Sequence, residues 1–172
     1  SGDQQRLAVA STGSKIDLID LQSGQIIQRL DKHTDWITAI AFSDDNVLLA
    51  SADRAGRLQL WESWTGDHYR ALEGHKQSIR ALEWTYDSNF IASSGKDGFI
   101  RIWSAEDGSE SQKIKAHSGG VIQHARRVDG GWVSAGYDQV LHIWSPEGKS
   151  ISAATPFADT PTSLVYAPSS RM

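Results

Sequence analysis

The sequence predicts an all-β protein built from a repeated unit of four short antiparallel strands. The first observation is a set of three histidines that stand 42 residues apart, at His33, His75 and His117. The second is that a serine follows each histidine by 17 or 18 residues and a tryptophan follows each serine by ten, at Ser51, Ser93, Ser134 and at Trp61, Trp103, Trp144. The third is that apolar residues alternate with other types before each Trp, which is typical of strands. A period of this length indicates one supersecondary unit per repeat.

Each complete unit contains four candidate strands separated by turn residues. In the second unit they are WITAIAF (36–42), VLLASA (47–52), RLQLW (57–61) and DHYRAL (67–72). In the third unit they are SIRALEW (78–84), FIASS (90–94), FIRIW (99–103) and SQKIK (111–115). In the fourth unit they are GVIQHAR (120–126), GWVSAG (131–136), VLHIW (140–144) and SISAA (150–154). The segments between them are rich in turn-forming residues, and no stretch has helical periodicity.

The third unit, GHKQSIRALEWTYDSNFIASSGKDGFIRIW (74–103), carries the most specific motif. A His that enters the unit, a Trp that closes its third strand and a length of about forty residues resemble the WD-repeat β-propeller family. The resemblance covers about residues 7–166. The chain departs from the family pattern where Glu or Ser follows each Trp, and where Lys32 and Ala116 replace the Gly before the His. The resemblance implies a WD-repeat β-propeller segment made of four-stranded antiparallel blades.

The two ends of the chain predict four blades' worth of sheet, permuted by one strand. Residues 7–30 match the second, third and fourth strands of a unit, and residues 162–168 (TSLVYAP) match a first strand. We therefore expect one β-propeller domain, part or whole, over residues 1–172. Its blade units are expected at about 5–31 (lacking the first strand), 32–73, 74–115 and 116–155, with a lone strand at 160–168.

The number of blades in the complete ring stays open. The last strand could complete the first blade of the same chain, which closes a ring of four, or that of a second copy, which closes a ring of eight. The chain could also be a piece of a larger ring, such as one of seven blades, or an excised segment whose boundaries carry no biology. We expect an incomplete propeller, because a ring of four needs far sharper packing than the seven or eight blades that the family implies.

Composition excludes several classes of function. The net charge of −4 disfavours nucleic-acid binding, and the absence of cysteine excludes disulfides and thiolate metal sites. No apolar run is long enough to insert into a membrane, no motif predicts a cofactor, and no compartment is indicated. A metal site is not expected, because the repeated histidines lie a blade apart and His142 occupies a variable position that holds Asp17, Gln59 and Arg101 in the other units.

Ser, His and Asp recur together, which is also the composition of a catalytic triad. A triad occurs once per active site, whereas this set returns with the period of the fold, so we expect a protein that is not an enzyme. The resemblance implies instead a buried hydrogen-bonded chain from Asp through His and Ser to the Trp indole. That set is complete in the third and fourth units, at His75, Ser93, Asp97, Trp103 and at His117, Ser134, Asp138, Trp144.

The first two units lack part of this set. The second unit has His33, Ser51 and Trp61, but Ala55 occupies the Asp position. Asp53 lies two residues away and is expected not to replace it, so this blade is predicted to be the looser one. In the first unit the corresponding positions hold Val9, Gly13 and Ile19, and no network is expected there.

The resemblance also implies that a protein or peptide partner binds the face that bears the loops between blades and between second and third strands. The repeat places five candidate residues there: Trp36, Arg54, Lys76, Lys96 and Tyr137. Aromatic and basic side chains are enriched in binding hot spots, and they suit an acidic or phosphorylated peptide. We expect a non-catalytic interaction scaffold. An alternative reading of these residues is that Trp36 packs in its strand and that the basic side chains are only solvated. An alternative function for the chain is a sensor or accessory module of a larger enzyme or regulatory protein.

Overall fold

The described residues of the protein form fifteen short strands and no helix. The computed structural model describes residues 1–11, 13–153 and 157–164. Its strands are β1 (Arg6–Ala10), β2 (Ile16–Asp20), β3 (Ile26–Leu30), β4 (Ile37–Phe42), β5 (Leu48–Asp53), β6 (Leu58–Glu62), β7 (His68–Leu72), β8 (Ile79–Trp84), β9 (Phe90–Gly95), β10 (Phe99–Ser104), β11 (Glu110–Lys115), β12 (Val121–Arg126), β13 (Trp132–Gly136), β14 (Leu141–Trp144) and β15 (Ser150–Ala153).

These strands form four antiparallel sheets, each in chain order. The first sheet contains β1 to β3, the second β4 to β7, the third β8 to β11 and the fourth β12 to β15. β1, β2 and β3 begin 42 residues before β5, β6 and β7, so the first sheet has its second, third and fourth strands but no first strand. The sheets confirm the predicted all-β fold and its start at a second strand.

The predicted lone strand at 160–168 is only partly covered by the described residues. Residues 157–164 form no strand, and residues 165–168 lie outside the described residues. The backbone N–H of Phe157 donates to the carbonyl oxygen of Gln139 (2.7 Å), which holds this segment beside the fourth sheet. A strand needs a neighbour that satisfies its backbone groups, and the fourth sheet already contains its own first strand, β12. The sequence pattern resembles that of a first strand, but it does not show which strand would pair with it.

The sheets stack in chain order. The contacts between them join β1 to β4, β4 to β8 and β8 to β12. Among the described strands, no comparable contact joins the fourth sheet to the first. The four sheets therefore form an open propeller segment and do not close into a ring of four.

Three apolar clusters fill the spaces between successive sheets. Each cluster contains aliphatic residues of one sheet and the repeated Trp of the next: Leu18 with Trp61, Leu60 with Trp103, and Ile100 with Trp144. Because side chains on a strand alternate between its two faces, Leu60 belongs to the cluster with the following sheet while Trp61 belongs to the cluster with the preceding one. The repeated Trp is thus part of the packing between blades.

Candidate functional site

A chain of four polar side chains runs through the third sheet. The His75 ring lies with Nδ1 2.9 Å from Asp97 Oδ2 and with Nε2 2.9 Å from Ser93 Oγ. The indole Nε1–H of Trp103 donates to the same Ser93 Oγ (2.8 Å). The fourth sheet repeats the arrangement, with distances of 2.8 to 2.9 Å, through His117, Asp138, Ser134 and Trp144. Each network ties the segment before the first strand to the second strand, the turn after it and the third strand.

The hydrogen-bond partners fix the protonation of the rings. A carboxylate only accepts, so Nδ1–H of His117 donates to Asp138, and Nε2 accepts from the hydroxyl of Ser134. Burial lowers the pKa of His117, and the hydrogen bond to Asp138 offsets part of this effect, so the ring is neutral at pH 7. Burial by itself would raise the pKa of Asp138, but hydrogen bonds from His117 and from the Ser118 N–H outweigh it and hold that pKa below its ordinary value.

The second sheet also has a complete network, which corrects the expectation for Asp53. The Oδ2 atom of Asp53 lies 2.9 Å from His33 Nδ1. Ser51 Oγ lies 2.7 Å from Nε2 of the same ring and accepts from the Trp61 indole (2.8 Å). The side chains of His33 and Asp53 are both 0% exposed. The reason for expecting a looser blade, a histidine without a carboxylate, is therefore removed.

Two backbone positions can supply the carboxylate because both reach the same donors. The Oδ1 atom of Asp53 accepts from the backbone N–H of Arg57 (2.9 Å). In the third sheet, Asp97 Oδ1 accepts from the equivalent backbone N–H, that of Phe99 (3.2 Å). Each carboxylate thus bridges its histidine to the start of the third strand.

Glycine explains why the third and fourth sheets use the later position. Gly95 and Gly136 occupy the place of Asp53 in those sheets. A Cβ at Gly95 would overlap with the Ser78 carbonyl oxygen, and a Cβ at Gly136 would overlap with the His117 ring. The carboxylate must then come from two residues further along the turn. The second sheet leaves room for a side chain at position 53, and the acid stands there.

The first sheet is tied to the second by a different contact, which sequence reasoning missed. The positions that Ser, Asp and Trp occupy in the third and fourth sheets hold Val9, Gly13 and Ile19 in the first sheet, and these residues cannot form the network. Arg6, 1% exposed, donates instead to Ser63 Oγ (3.1 Å) and to Asp3 Oδ2 (2.8 Å). Its guanidinium also lies over the ring of Trp64. No periodic signal marks Arg6, because the other units have no equivalent of it.

A buried histidine joins the third and fourth sheets, and no sequence pattern indicated this contact either. His124 Nδ1 lies 2.7 Å from Ser94 Oγ, and the ring packs edge-on against Trp132. Burial lowers the pKa of His124 to about 3, so the ring is neutral at pH 7. The histidine therefore acts as a neutral hydrogen-bonding group inside the interface between blades.

The networks are inaccessible to a substrate. Ser51, Ser93 and Ser134 are 0% exposed. A nucleophilic serine must reach the bond that it attacks, and these hydroxyl groups already bond to a ring and an indole. Within the described ranges, no group of three or more His, Cys, Asp or Glu side chains is placed to hold a metal ion. The recurring residues thus connect strands.

One end of the sheets carries the segments before each first strand and the turns between second and third strands; we name this end the loop-bearing face. The alternation of antiparallel strands brings all five predicted partner-binding residues to it: Trp36, Arg54, Lys76, Lys96 and Tyr137. All five are exposed. Trp36 is 56% exposed, so it does not pack inside its strand.

Trp36 and Arg54 form a pair on this face. The guanidinium carbon of Arg54 lies 4.8 Å from the centroid of the Trp36 ring. Arg54 Nε also lies 3.3 Å from Asp35 Oδ2. The backbone N–H of Trp36 and then Arg54 lower the pKa of Asp35, so that carboxylate is charged at pH 7. The pair presents a flat apolar surface beside a cation whose Nε is partly engaged.

The other three residues lie in the third and fourth sheets' part of the same face. Tyr137 Oη accepts from Arg80 Nη2 (3.1 Å), across the boundary between the fourth and third sheets. Lys76 lines a cavity of 380 Å³ together with Lys32, Arg57 and Glu73. Lys96 lies in the turn between β9 and β10. The structure thus brings the five residues to one face, where Lys96 and Tyr137 both adjoin Gly120.

Charge is divided between the two ends of the sheets. On the loop-bearing face, the basic residues outnumber the acidic residues that lie outside the networks: Lys15, Lys32, Arg54, Arg57, Lys76 and Lys96 against Asp31, Asp35, Glu73 and Asp159. The network residues Asp53, Asp97 and Asp138 bring the acidic residues at this end to seven, so the two signs nearly balance there. At the opposite end, acidic residues outnumber the basic Arg6, Arg126, Arg127 and Lys149: Asp3, Asp20, Asp44, Asp45, Asp67, Asp87, Glu106, Asp107, Asp129 and Glu147. These charged residues lie in or next to the turns that the sequence predicts, so the predicted turns already separate them into two groups.

The stacked sheets and their repeated networks define the class of protein, a β-propeller segment. The family model described as "WD domain, G-beta repeat" matches residues 24–62 and 66–104. Each match starts at the outer strand of one sheet and ends at the third strand of the next. Residues 24–104 therefore contain two WD repeats, and repeats of this family generally mediate protein–protein interaction. No curated protein sequence matches the chain.

Among solved structures, the crystal structure of the computationally designed Ika8 protein is similar to this chain. The TM-score is 0.87 at 22% sequence identity, and the match covers 95% of this chain and 50% of the designed one. The chain therefore spans about half the length of that structure, and the likeness concerns the fold. In the part of the chain that the structure describes, no helix is long and apolar enough to cross a membrane.

Proposed function

We propose that this chain is a non-catalytic interaction scaffold that binds an acidic peptide segment of a partner protein on its loop-bearing face. The observation that carries the proposal is the division of charge between the two ends of the sheets. A chain with a net charge of −4 would on average repel an acidic partner. The basic side chains nevertheless gather on the face that also presents Trp36 and Tyr137.

The chemistry of the Trp36–Arg54 pair supports this choice of partner. A guanidinium presents several N–H donors in one plane, and only the Nε of Arg54 is engaged by Asp35. The remaining donors suit a carboxylate, and the exposed Trp36 ring suits an apolar side chain next to that carboxylate. An acidic residue beside an apolar one is therefore the expected core of the recognised motif.

The cavity beside Lys76 supports a second contact. Its volume of 380 Å³ exceeds that of a single side chain, and Lys32, Arg57 and Lys76 outnumber Glu73 among its charged lining residues. Such a cavity favours an acidic side chain over a basic one by simple charge complementarity. The cavity lies between the turn of the second sheet and the segment that enters the third, so a peptide in contact with both Trp36 and Lys76 would cross the blade boundary.

Selection from a display library of random short peptides tests the proposal. We expect the selected peptides to be enriched in Asp and Glu, because the exposed Lys and Arg side chains of the loop-bearing face attract them. A variant with Trp36→Ala, Arg54→Ala, Lys96→Ala and Tyr137→Ala is expected to bind a selected peptide at least about tenfold more weakly, which fluorescence anisotropy measures. The binding of the unchanged chain is also expected to weaken as salt is added.

The matched control carries substitutions at the opposite end of the sheets. Tyr86 and Val128 are 57% and 59% exposed, as Trp36 is 56% exposed, and Lys149 supplies a cation. A variant with Tyr86→Ala, Val128→Ala and Lys149→Ala is expected to keep the affinity of the unchanged chain. Equal affinity of the loop-bearing-face variant would contradict the proposal.

We also propose a second copy of the chain as a partner. Two copies, each with four sheets, would make the ring of eight blades that the repeat pattern left open. Such a ring would continue the loop-bearing face across both copies.

A further inference from the structure

A cavity of 340 Å³ lies on the second sheet, at the end opposite the loop-bearing face; we name it the Trp64 cavity. It is lined by Val47, Leu48, Glu62, Trp64 and Tyr69. Trp64 is 57% exposed, Val47 53% and Tyr69 41%. The lining thus combines two aromatic rings and two aliphatic side chains with a single charged residue.

The fold does not require apolar side chains at this place. Trp64 follows the repeated Trp61 by three residues, and Val47 precedes Leu49, the strand partner of Trp61, by two. In the other three sheets, the positions equivalent to Val47 and Trp64 hold polar residues or glycine: Gln5 and Gln22, Asn89 and Glu106, Gly130 and Glu147. Packing within a sheet therefore does not account for Val47 and Trp64, and an exposed apolar patch without such a role marks an interaction site.

Both aromatic rings of the cavity are supported by an arginine. The guanidinium carbon of Arg6 lies 3.3 Å from the centroid of the Trp64 ring, and Arg6 is itself buried and paired with Asp3. The guanidinium carbon of Arg70 lies 5.3 Å from the centroid of the Tyr69 ring. Neither arginine lines the cavity, so the rings keep a free side for a ligand. An aromatic side chain that is already held in place loses less conformational entropy when a partner docks.

The surroundings of the cavity are acidic. The two turns that carry it, between β4 and β5 and between β6 and β7, contain Asp44, Asp45 and Asp67 but no Lys or Arg. Asp44 pairs with Arg126 (3.1 Å). Glu62 and Asp67 are exposed, and within the described part of the chain they form no ion pair. Their carboxylates are therefore available to a cation of a partner.

We propose that the Trp64 cavity binds a segment of a partner protein in which a large apolar side chain stands next to Lys or Arg. The apolar side chain packs against the rings of Trp64 and Tyr69, where it is removed from water. The neighbouring Lys or Arg meets the carboxylates of Glu62 and Asp67. This surface lies at the other end of the sheets from the face proposed for an acidic peptide, so the chain would hold two partners of opposite charge at the same time.

Charge complementarity favours this partner over an acidic segment and over a second copy of the chain. The chain has a net charge of −4, and acidic residues outnumber basic ones at the end that carries the cavity. A second copy that met this surface with the same end would bring two acidic surfaces together, and like charges that face each other across an interface disfavour binding. A basic segment is attracted instead, both by the field of the whole end and by Glu62 and Asp67 at the cavity.

Selection from a display library of random short peptides tests this surface separately from the loop-bearing face. The bait is the variant with Trp36→Ala, Arg54→Ala, Lys96→Ala and Tyr137→Ala, which lacks residues proposed for acidic peptides but keeps the Trp64 cavity. We expect the selected peptides to contain Lys or Arg beside a large apolar residue. A selection that yields no binder, or that yields peptides without this pattern, overturns the proposal.

Two double variants of the unchanged chain test the apolar and the charged contact. Val47→Gln with Trp64→Gln introduces the residues that the first sheet has at these positions, so the fold is expected to tolerate it. It is expected to weaken the binding of a selected peptide at least about tenfold, as measured by fluorescence anisotropy. Glu62→Gln with Asp67→Asn removes the charges and is expected to weaken binding at low salt and to reduce its dependence on salt. Unchanged affinity of either double variant at low salt overturns the proposal.

Tyr86→Ala is the matched control. Tyr86 is 57% exposed, as Trp64 is, and the guanidinium carbon of Arg126 lies 3.3 Å from the centroid of its ring. It lies at the same end of the sheets but does not line the cavity. Tyr86→Ala is expected to keep the affinity of the unchanged chain for the selected peptide. A loss as large as that of Val47→Gln with Trp64→Gln would mean that the peptide binds this acidic end without using the cavity, which also overturns the proposal.

Discussion

Replacing Trp103 by Ala is expected to lower the free energy of unfolding by about 3 to 5 kcal/mol. Trp103 is 2% exposed and belongs to the apolar cluster between the second and third sheets. It also donates its indole N–H to Ser93 Oγ. The substitution leaves a cavity between two blades and removes one partner of a buried hydroxyl group. Urea unfolding followed by circular dichroism measures the loss.

Trp36→Ala is the control for this experiment. Trp36 is 56% exposed, so its removal is expected to change the free energy of unfolding by no more than about 0.5 kcal/mol. Trp103→Phe keeps most of the ring volume but deletes the N–H, and it is expected to give a loss between those of the other two variants. Similar losses for Trp36→Ala and Trp103→Ala would show that the repeated Trp is not a structural element.

Replacing Asp53 by Ala is expected to lower the free energy of unfolding by about 1 to 3 kcal/mol. The substitution leaves Nδ1–H of His33 buried without its acceptor, and it removes the acceptor of the Arg57 backbone N–H. Unfolding in urea again measures the loss. Asp31→Ala, an exposed aspartate of the segment that enters the same sheet, is the control and is expected to have little effect.

The double variant Asp53→Gly and Ala55→Asp gives a sharper test of the same network. It moves the carboxylate to the position that Asp97 and Asp138 occupy in the third and fourth sheets. We expect this variant to regain most of the stability that Asp53→Ala loses, because the carboxylate from either position reaches the same two donors. A double variant as unstable as Asp53→Ala would mean that the two positions are not equivalent.

The period of the sequence was enough to predict the strands of the four sheets, and the resemblance to WD repeats implied two of the three networks. Strand side chains alternate between two faces, so an apolar pattern that returns with His and Trp in register fixes both the strands and the faces that pack. The second network shows the limit of that reasoning. Alignment of the repeats placed Ala55 at the position where the third and fourth units have Asp, which suggested that the network has no carboxylate. The hydrogen bond depends instead on where a carboxylate can reach His33, and Asp53 reaches it.

The remaining differences arise from contacts without a period. Arg6 ties the first sheet to Ser63 and Asp3 although no other unit contains its equivalent. Residues 162–164 match a first strand in sequence but form no strand, because pairing depends on a neighbour that the pattern of one strand does not contain. The five candidate residues were assigned correctly to exposed positions, but only distances show that Arg54 pairs with Trp36 and Arg80 with Tyr137.

The link between fold and proposed function is the rigidity of the loop-bearing face. Each network anchors the segment before a first strand and, in the third and fourth sheets, the turn that carries the acid. Arg54, Lys96 and Tyr137 stand next to the network residues Asp53, Asp97 and Asp138 in the chain. A binding residue held in place loses less conformational entropy when a partner docks, so the buried networks favour recognition at the surface above them.

Hydrogen exchange at the indole nitrogens tests most directly the central claim that the repeated Trp–Ser–His–Asp sets hold the fold together. Exchange of the Nε1–H groups can be followed by NMR, with Trp→Phe variants assigning the signals. For Trp61, Trp103 and Trp144 we expect exchange only through unfolding, on the order of a thousandfold or more slower than for the exposed Trp36 and Trp64. Rates for the three repeated indoles close to those of Trp36 and Trp64 would contradict the claim.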